Sequence, residues 1–282
     1  MKKIVLALAL LVPLASFGQT FSTGGRASVG VDVKLAKGLH IEAGEEVRSA
    51  DSFAGLGSLR TTLGISYKPL SFLKVGAGYT LINPYKIDKD LGDDYYYTGF
   101  WAPKHRAFAD VTGTLKLGKF NLSLRERLQL THNADDALNV YQSTRNAIAL
   151  RSRLGVKYKG WKYVEPALSF EVRAALNDPW GTVSGSAQTT SNSKREYYTY
   201  THTGYTHAYI NRLRVNLGAD ITPNKHHSIG PYILLDYNMD YKIDTNGSSK
   251  WATEDGVRLF TDGTGWVYST GLIFGLSYKY NF

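Results

Sequence analysis

The amino-acid sequence predicts an all-β protein, a transmembrane antiparallel up-and-down β-barrel of about 12 strands, with ten as the alternative. Three observations predict this fold. The amino-terminal segment is basic and then apolar, later segments are apolar at every second position, and their connections alternate between short and long. The alternation is clearest in the last eleven residues, LIFGLSYKYNF, where every second residue from Leu272 to Phe282 is apolar or aromatic.

The amino-terminal segment has the pattern of a secretory signal peptide. Lys2 and Lys3 precede an apolar run over residues 4–12, and small residues precede Gln19. The apolar run is too short for a helix that spans a bilayer, which needs roughly 20 residues. We therefore expect a signal peptide over residues 1–18 and a barrel over residues 19–282.

The alternating segments are long enough to cross a bilayer as tilted strands. In chain order they cover residues 26–35, 39–48, 58–67, 73–82, 106–117, 120–131, 145–158, 162–176, 207–221, 227–241 and 266–282. These are eleven segments, whereas single-chain bacterial barrels have even strand numbers. We therefore expect a further strand within residues 19–25 or near residues 251–260. The short turns are predicted to be periplasmic and the long loops extracellular.

Composition excludes several classes of protein and site. The absence of Cys excludes disulfides and thiolate metal sites, and no later stretch is apolar enough for a membrane helix. The net charge of +9 falls to +7 once Lys2 and Lys3 are removed with the signal peptide. In an exported barrel this charge indicates small anions, anionic sugars or lipopolysaccharide as partners, with outer-membrane lipid around it, and not nucleic acid.

Charged residues with strand periodicity define a predicted lumen face. Three R-x-R pairs occur on three segments, and a period of two places both arginines of each pair on one face. Because lipid does not tolerate so many charges, this face is predicted to line the lumen. Four glutamates are expected on the same face, where they would partly compensate the arginines. The predicted lumen residues are Arg125, Arg127, Arg151, Arg153, Arg212, Arg214, Glu42, Glu46, Glu165 and Glu171. Glu45 and Glu126 fall on the predicted outer face.

No catalytic residue, metal site or cofactor site is predicted. The H-x-S spacing at His226 and Ser228 falls in a short turn on the periplasmic side, and His202 with His207 lacks a third ligand at fixed spacing. Aromatic residues within 93–101 and 194–205 could stack on sugar rings or form an interfacial girdle.

Two features of the sequence resemble known outer-membrane proteins. The terminal aromatic, Phe282, resembles the end of bacterial outer-membrane barrels, where it belongs to the signal read by the barrel-assembly machinery. The strand motifs resemble an outer-membrane barrel family known as domain of unknown function 2490. They lie at residues 38–48, 64–68, 73–79, 104–106, 124–129, 151–154 and 225–228. The resemblance implies location in the outer membrane, and it implies no activity or catalytic residues.

Two functional interpretations remain open. The protein is either a narrow porin-like channel for small anionic solutes or oligosaccharides, or a plugged structural or surface-binding barrel without transport. The two differ in pore radius, which the sequence does not give. An enzyme is not expected.

Overall fold

The computed structural model describes residues 20–90, 96–133, 146–177, 182–191, 194–203, 207–244, 253–254, 257–259 and 263–282. The predicted signal peptide lies outside these residues. The described chain is all-β apart from one 3₁₀ turn at Asp51–Phe53. The strands are β1 (Thr20–Ala36), β2 (Leu39–Ser49), β3 (Leu56–Leu70), β4 (Leu73–Asp90), β5 (Tyr96–Trp101), β6 (Lys104–Leu117), β7 (Phe120–Asn133), β8 (Ala147–Tyr158), β9 (Val164–Ala175), β10 (Thr182–Ser191), β11 (Lys194–Thr203), β12 (Tyr209–Ile221), β13 (His227–Asp244), β14 (Thr253–Glu254), β15 (Val257–Leu259) and β16 (Gly263–Asn281).

Eleven strands close into a barrel. Their order around the ring is β1, β2, β3, β4, β6, β7, β8, β9, β12, β13 and β16, and the pairing of β3 with β4 completes the closure. Strands adjacent in this sequence pair antiparallel, whereas β16 returns to β1 as a parallel pair from Thr20 with Ser269 to Asp32 with Asn281. Strand β5 pairs with the last residues of β4.

The all-β barrel is confirmed, but the expected even strand number and wholly antiparallel pairing are wrong. The reason lies in the direction of the first and last barrel strands. Both run toward the end of the barrel that carries the short turns, so they can meet only as a parallel pair. Residues 20–25 extend β1 and form no extra strand, and the described residues near 251–260 belong to a second sheet.

The two ends of the barrel differ in their connections. Short turns at residues 37–38, 71–72, 118–119, 159–163 and 222–226 lie at one end, which we call the turn end. The long connections lie at the other end, the loop end. Gly38 makes the first turn possible, because it has φ +77° and a side chain there would meet the Lys68 carbonyl oxygen at 2.8 Å.

The second sheet arises within two of the long connections. The hairpin of β10 and β11 lies between β9 and β12, and β14 and β15 lie between β13 and β16. Strand β11 pairs in parallel with β15, over Tyr197 to Thr199. The residues from 177 to 206, predicted to be one long loop, therefore contain a hairpin.

Alternation gives the barrel an apolar outside and a polar inside. Outward side chains such as Val29, Leu63, Leu124, Leu154 and Leu217 are each more than half exposed. Within the described chain the buried apolar residues are only Ile82, Ala149, Ala175 and Leu234, whereas ten buried residues are polar or charged. This distribution is the reverse of that in a soluble protein.

Aromatic side chains cluster near both ends of the barrel. At the turn end, Tyr158 packs edge-on against Trp161 with ring centroids 5.8 Å apart, and Tyr280 contacts Phe282 at 4.6 Å. At the loop end, Tyr209 packs against Trp266 at 4.9 Å. Pairs of aromatic side chains therefore lie near both ends of the apolar exterior.

Among the residues that the structure describes, no helix combines the length and the hydropathy needed to cross a bilayer.

Candidate functional site

The interior charges are arranged in two rows that run across neighbouring strands. Direct cross-strand pairing places five residues in the first row, which we call the carboxylate row: Arg125, Arg153, Glu171, Arg214 and Asp236, on β7, β8, β9, β12 and β13. The second row, the arginine row, lies two residues along each strand: Asp110, Arg127, Arg151, Arg173, Arg212 and Asn238, from β6 to β13. Each R-x-R pair contributes one arginine to each row.

The Glu171 carboxylate joins the two rows. Arg151 donates to its two oxygens at 2.6 and 2.8 Å, and Arg125 and Arg214 approach at 3.3 and 3.4 Å. The Glu171 side chain is only 7% exposed, so these bonds are shielded from water. Three guanidinium groups therefore share one buried carboxylate.

Asp236 is the second carboxylate of this network. Arg214 donates to it at 2.8 Å, and Arg212 and Arg26 lie 3.5 and 3.8 Å away. Because Arg214 contacts both Glu171 and Asp236, it links two groups of arginines across β9, β12 and β13. Charge-assisted contacts in such a network fix the direction of each side chain.

Asp110 and Phe108 hold Arg127 against the wall of the barrel. The Arg127 Nε atom donates to Asp110 at 2.9 Å, and its guanidinium carbon lies 4.0 Å from the centroid of the Phe108 ring. This stacking is a cation–π contact. Asp110 and Asp236 were not predicted from the sequence, because neither belongs to a repeated motif.

The turn end has a further set of contacts between lysines and carboxylates. Glu42 lies 3.4 Å from Lys74 and 3.5 Å from Lys279, and Lys279 also contacts Asp32 at 2.8 Å. Glu165 lies 3.6 Å from Lys157 and 3.4 Å from Lys159. Of the four predicted glutamates, Glu46 and Glu171 contact arginines, whereas Glu42 and Glu165 contact lysines near the turn end.

Arginine dominates the middle of the interior. A cavity of about 520 Å³ is lined by eleven arginines and Lys157, against three carboxylates, Glu46, Glu171 and Asp220. All six predicted arginines are among the eleven. The others are Arg26, Arg48, Arg60, Arg106 and Arg173. Arg26, Arg60 and Arg106 were missed, because each is a single arginine with no second arginine two residues away on its strand. A second cavity of about 930 Å³ continues toward Lys74 and Lys279.

Residues considered for chemistry lie apart from this interior network. The His226 ring contacts the Asn281 carbonyl oxygen at 2.8 Å, and the His227 ring contacts the Tyr278 hydroxyl at 2.7 Å. In the described part of the chain, no group of three His, Cys, Asp or Glu side chains is placed to bind a metal ion. The side chain of His202 and the side chains of residues 93–100 and 194–205 lie outside the described part.

Phe282 lies at the turn end. Its backbone N–H donates to the Asp32 carbonyl oxygen at 2.9 Å, and its side chain is 69% exposed. Strand β16 and the residue that follows it are therefore tied to β1. The assembly role of Phe282 stays a prediction.

Comparison with known proteins gives one match, to a protein family. No curated protein matches this chain. Residues 27–214 match the family described as Protein of unknown function (DUF2490). The match runs from β1 to Arg214 in β12 and so includes both interior rows except their last residues, Asp236 and Asn238. Since it covers about two thirds of the 282 residues, the chain belongs to the DUF2490 family.

Proposed function

We propose that the protein spans the bacterial outer membrane, with the turn end in the periplasm and the loop end outside the cell. The apolar exterior supports this proposal, because exposed Val, Leu and Phe side chains cover the wall between the aromatic pairs at its two ends. The barrel strands, of 11 to 19 residues, are long enough to cross a bilayer at a tilt. The signal-peptide pattern supports export, with insertion by the barrel-assembly machinery.

We further propose that the interior is a narrow, porin-like passage for small anionic solutes or oligosaccharides. The excess of arginine over carboxylate in the central cavity carries this proposal. Fixed positive charge inside a low-dielectric wall lowers the barrier for anions and raises it for cations. Arg153 supports it most directly, since it is exposed to the cavity and forms no ion pair among the described residues. The proposed function involves no chemical step.

A plugged structural barrel is the second candidate, and one observation favours it. The salt bridges of Glu171 and Asp236 join side chains from β1, β7, β8, β9, β12 and β13, and such a network fills space that a solute would need. In this alternative, the loops would contact partners or lipopolysaccharide and nothing would cross the barrel.

Measurement of ion conductance distinguishes the channel from the plugged barrel. We expect the purified protein in a planar bilayer to open channels whose reversal potential under a salt gradient indicates anion selectivity. Arg153→Gln should shift that potential toward cation selectivity, because it removes a cavity cation that holds no salt bridge. Lys159→Gln is the matched control, since Lys159 lies at the turn end beside Glu165. Folded protein without conductance would support the plugged barrel.

A further inference from the structure

Three arginines on one wall of the interior have a single carboxylate among their contacts with the described residues. Arg48 on β2, Arg60 on β3 and Arg106 on β6 line the central cavity. The Arg48 Nε atom lies 2.5 Å from Glu46, whereas Arg60 lies 4.0 Å from the same carboxylate. Arg106 donates to the Thr131 hydroxyl at 3.0 Å. Among the described residues, the cluster of Arg48, Arg60 and Arg106 therefore has one acidic partner, Glu46.

The neighbours of this cluster are neutral. Ser58 pairs across the strands with Arg48, and Thr80 and Thr131 flank Arg106 on either side. These three side chains are at most 9% exposed. They can donate and accept hydrogen bonds, but they bring no negative charge. One glutamate neutralises one guanidinium, so two positive charges remain uncompensated.

Burial makes this surplus costly. The side chains of Arg48 and Arg60 are only 21% and 22% exposed, and the Arg60 Nε atom is buried without a hydrogen-bond partner in the described chain. Arg60 also lies within electrostatic range of Arg26 and Arg106. Arg151 on β8 and Arg173 on β9 also lie within electrostatic range of Arg106. Buried charges are normally paired, because removing them from water without a counter-charge is strongly unfavourable.

We propose that the cluster of Arg48, Arg60 and Arg106 is a binding site for a phosphoryl group carried by a soluble solute. A phosphate dianion matches the two uncompensated charges, whereas a carboxylate would neutralise only one. Its oxygens project tetrahedrally and can accept from guanidinium groups on three different strands, and the planar fork of arginine suits such oxygens. The proposal deepens the proposed function, on which it rests for the route by which a solute reaches the site.

Binding of inorganic phosphate to the full chain, folded in detergent, tests the site. We expect saturable binding by calorimetry and a rise in the thermal unfolding midpoint, at an ionic strength held constant with chloride. Acetate at the same concentration should bind at least tenfold more weakly. A phosphate monoester should bind as phosphate does. If phosphate and acetate raise the unfolding midpoint equally and without saturation, the attraction is diffuse and the site does not exist.

Variants locate the binding. Arg60→Gln and Arg106→Gln should each weaken phosphate binding by roughly 10- to 100-fold, which is the loss expected for one hydrogen bond to a charged group. Lys159→Gln removes the same charge at the turn end and should leave binding unchanged. Arg60→Lys keeps the charge but loses the fork and should give an intermediate affinity; it also serves if Arg60→Gln fails to fold. Unchanged affinity in folded Arg60→Gln and Arg106→Gln would overturn the proposal.

The outcomes separate this site from the channel. Saturable phosphate binding by a protein that conducts no ions would refute the passage and keep the site. Anion-selective conductance without saturable phosphate binding would refute the site and keep the passage.

Discussion

The Ser152 hydroxyl donates a 2.6 Å hydrogen bond to the Glu126 carboxylate on the outside of the barrel. The two residues face each other directly across β7 and β8, in a ladder without a register shift. Leu124, Leu128 and Leu154 around them are about half exposed. An ionised side chain at this position would face lipid in the proposed membrane orientation, which is unfavourable. The hydroxyl offsets part of that energy.

This pair gives the first prediction. Glu126→Leu should stabilise the barrel in phospholipid vesicles by about 1 kcal/mol or more, since it removes a lipid-facing carboxylate. Ser152→Ala should destabilise it by roughly 1 to 3 kcal/mol, because the carboxylate loses its donor. Urea unfolding followed by tryptophan fluorescence measures both changes. In the double variant, the effect of Ser152→Ala should largely vanish. Equal effects of Ser152→Ala in both backgrounds would show that the hydrogen bond contributes no stability.

The second prediction concerns the interior network. Glu171→Gln should lower the free energy of unfolding by about 3 to 5 kcal/mol, because it leaves three buried guanidinium groups without their shared carboxylate. Glu165→Gln is the matched control. Its lysine partners are more exposed, and salt bridges of that kind contribute about 0 to 1 kcal/mol. Similar losses in the two variants, measured by urea unfolding, would contradict the central role of Glu171.

The third prediction tests the parallel pair of β1 and β16. Ala27 pairs with Leu276, and the chain has no cysteine of its own. The double variant Ala27→Cys, Leu276→Cys should therefore form an intramolecular disulfide under oxidation, since paired strands place Cα atoms within the span of a disulfide. Non-reducing gels after unfolding report it as faster migration. Leu272→Cys in place of Leu276→Cys moves the thiol four residues along β16 and should prevent the cross-link. A disulfide in the control alone would disprove this register.

The fourth prediction concerns Phe282. Phe282→Ala should reduce insertion into the outer membrane more strongly than it reduces stability. The side chain is 69% exposed, so its loss should change the unfolding free energy by less than about 2 kcal/mol. Membrane fractionation gives the amount inserted, and unfolding of the purified variant gives its stability. Phe72→Ala, at another turn of the same end, is the matched aromatic control. Normal insertion of Phe282→Ala would rule out an assembly role.

Local periodicity predicted much of this fold. The alternation that places Arg125 and Arg127 on one face also places Glu126 on the other, and the structure has both arrangements. The pairing of strands that are far apart in the sequence could not be predicted in this way. The parallel contact of β1 with β16 joins the two ends of the barrel sequence, and no local pattern encodes it. A parallel closing pair allows an odd number of strands, so the rule of even strand numbers predicted the wrong number.

The arginines of the interior site were predicted only where an R-x-R motif repeated. Each R-x-R pair was selected because two arginines share one strand face. Asp110 and Asp236 were not, since neither belongs to a repeated motif and their arginine partners lie on other strands. The pairing of Glu42 with Lys74 and Lys279 likewise depends on three separate strands. Charge balance inside a barrel is thus a property of register, which the sequence alone did not supply.

The odd strand number has a consequence for the two ends of the chain. Strand β1 starts at the loop end and β16 finishes at the turn end. A peptide fused ahead of Thr20 and a peptide fused after Asn281 would therefore emerge at opposite ends of the barrel. The pair that closes the barrel also differs from the other strand pairs. The first and last strands run in the same direction, whereas all the other neighbouring strands of the barrel run in opposite directions. The slanted hydrogen bonds of a parallel pair are slightly weaker per residue than antiparallel ones. The β1–β16 junction is therefore where we expect the wall to open first under denaturant or mechanical load.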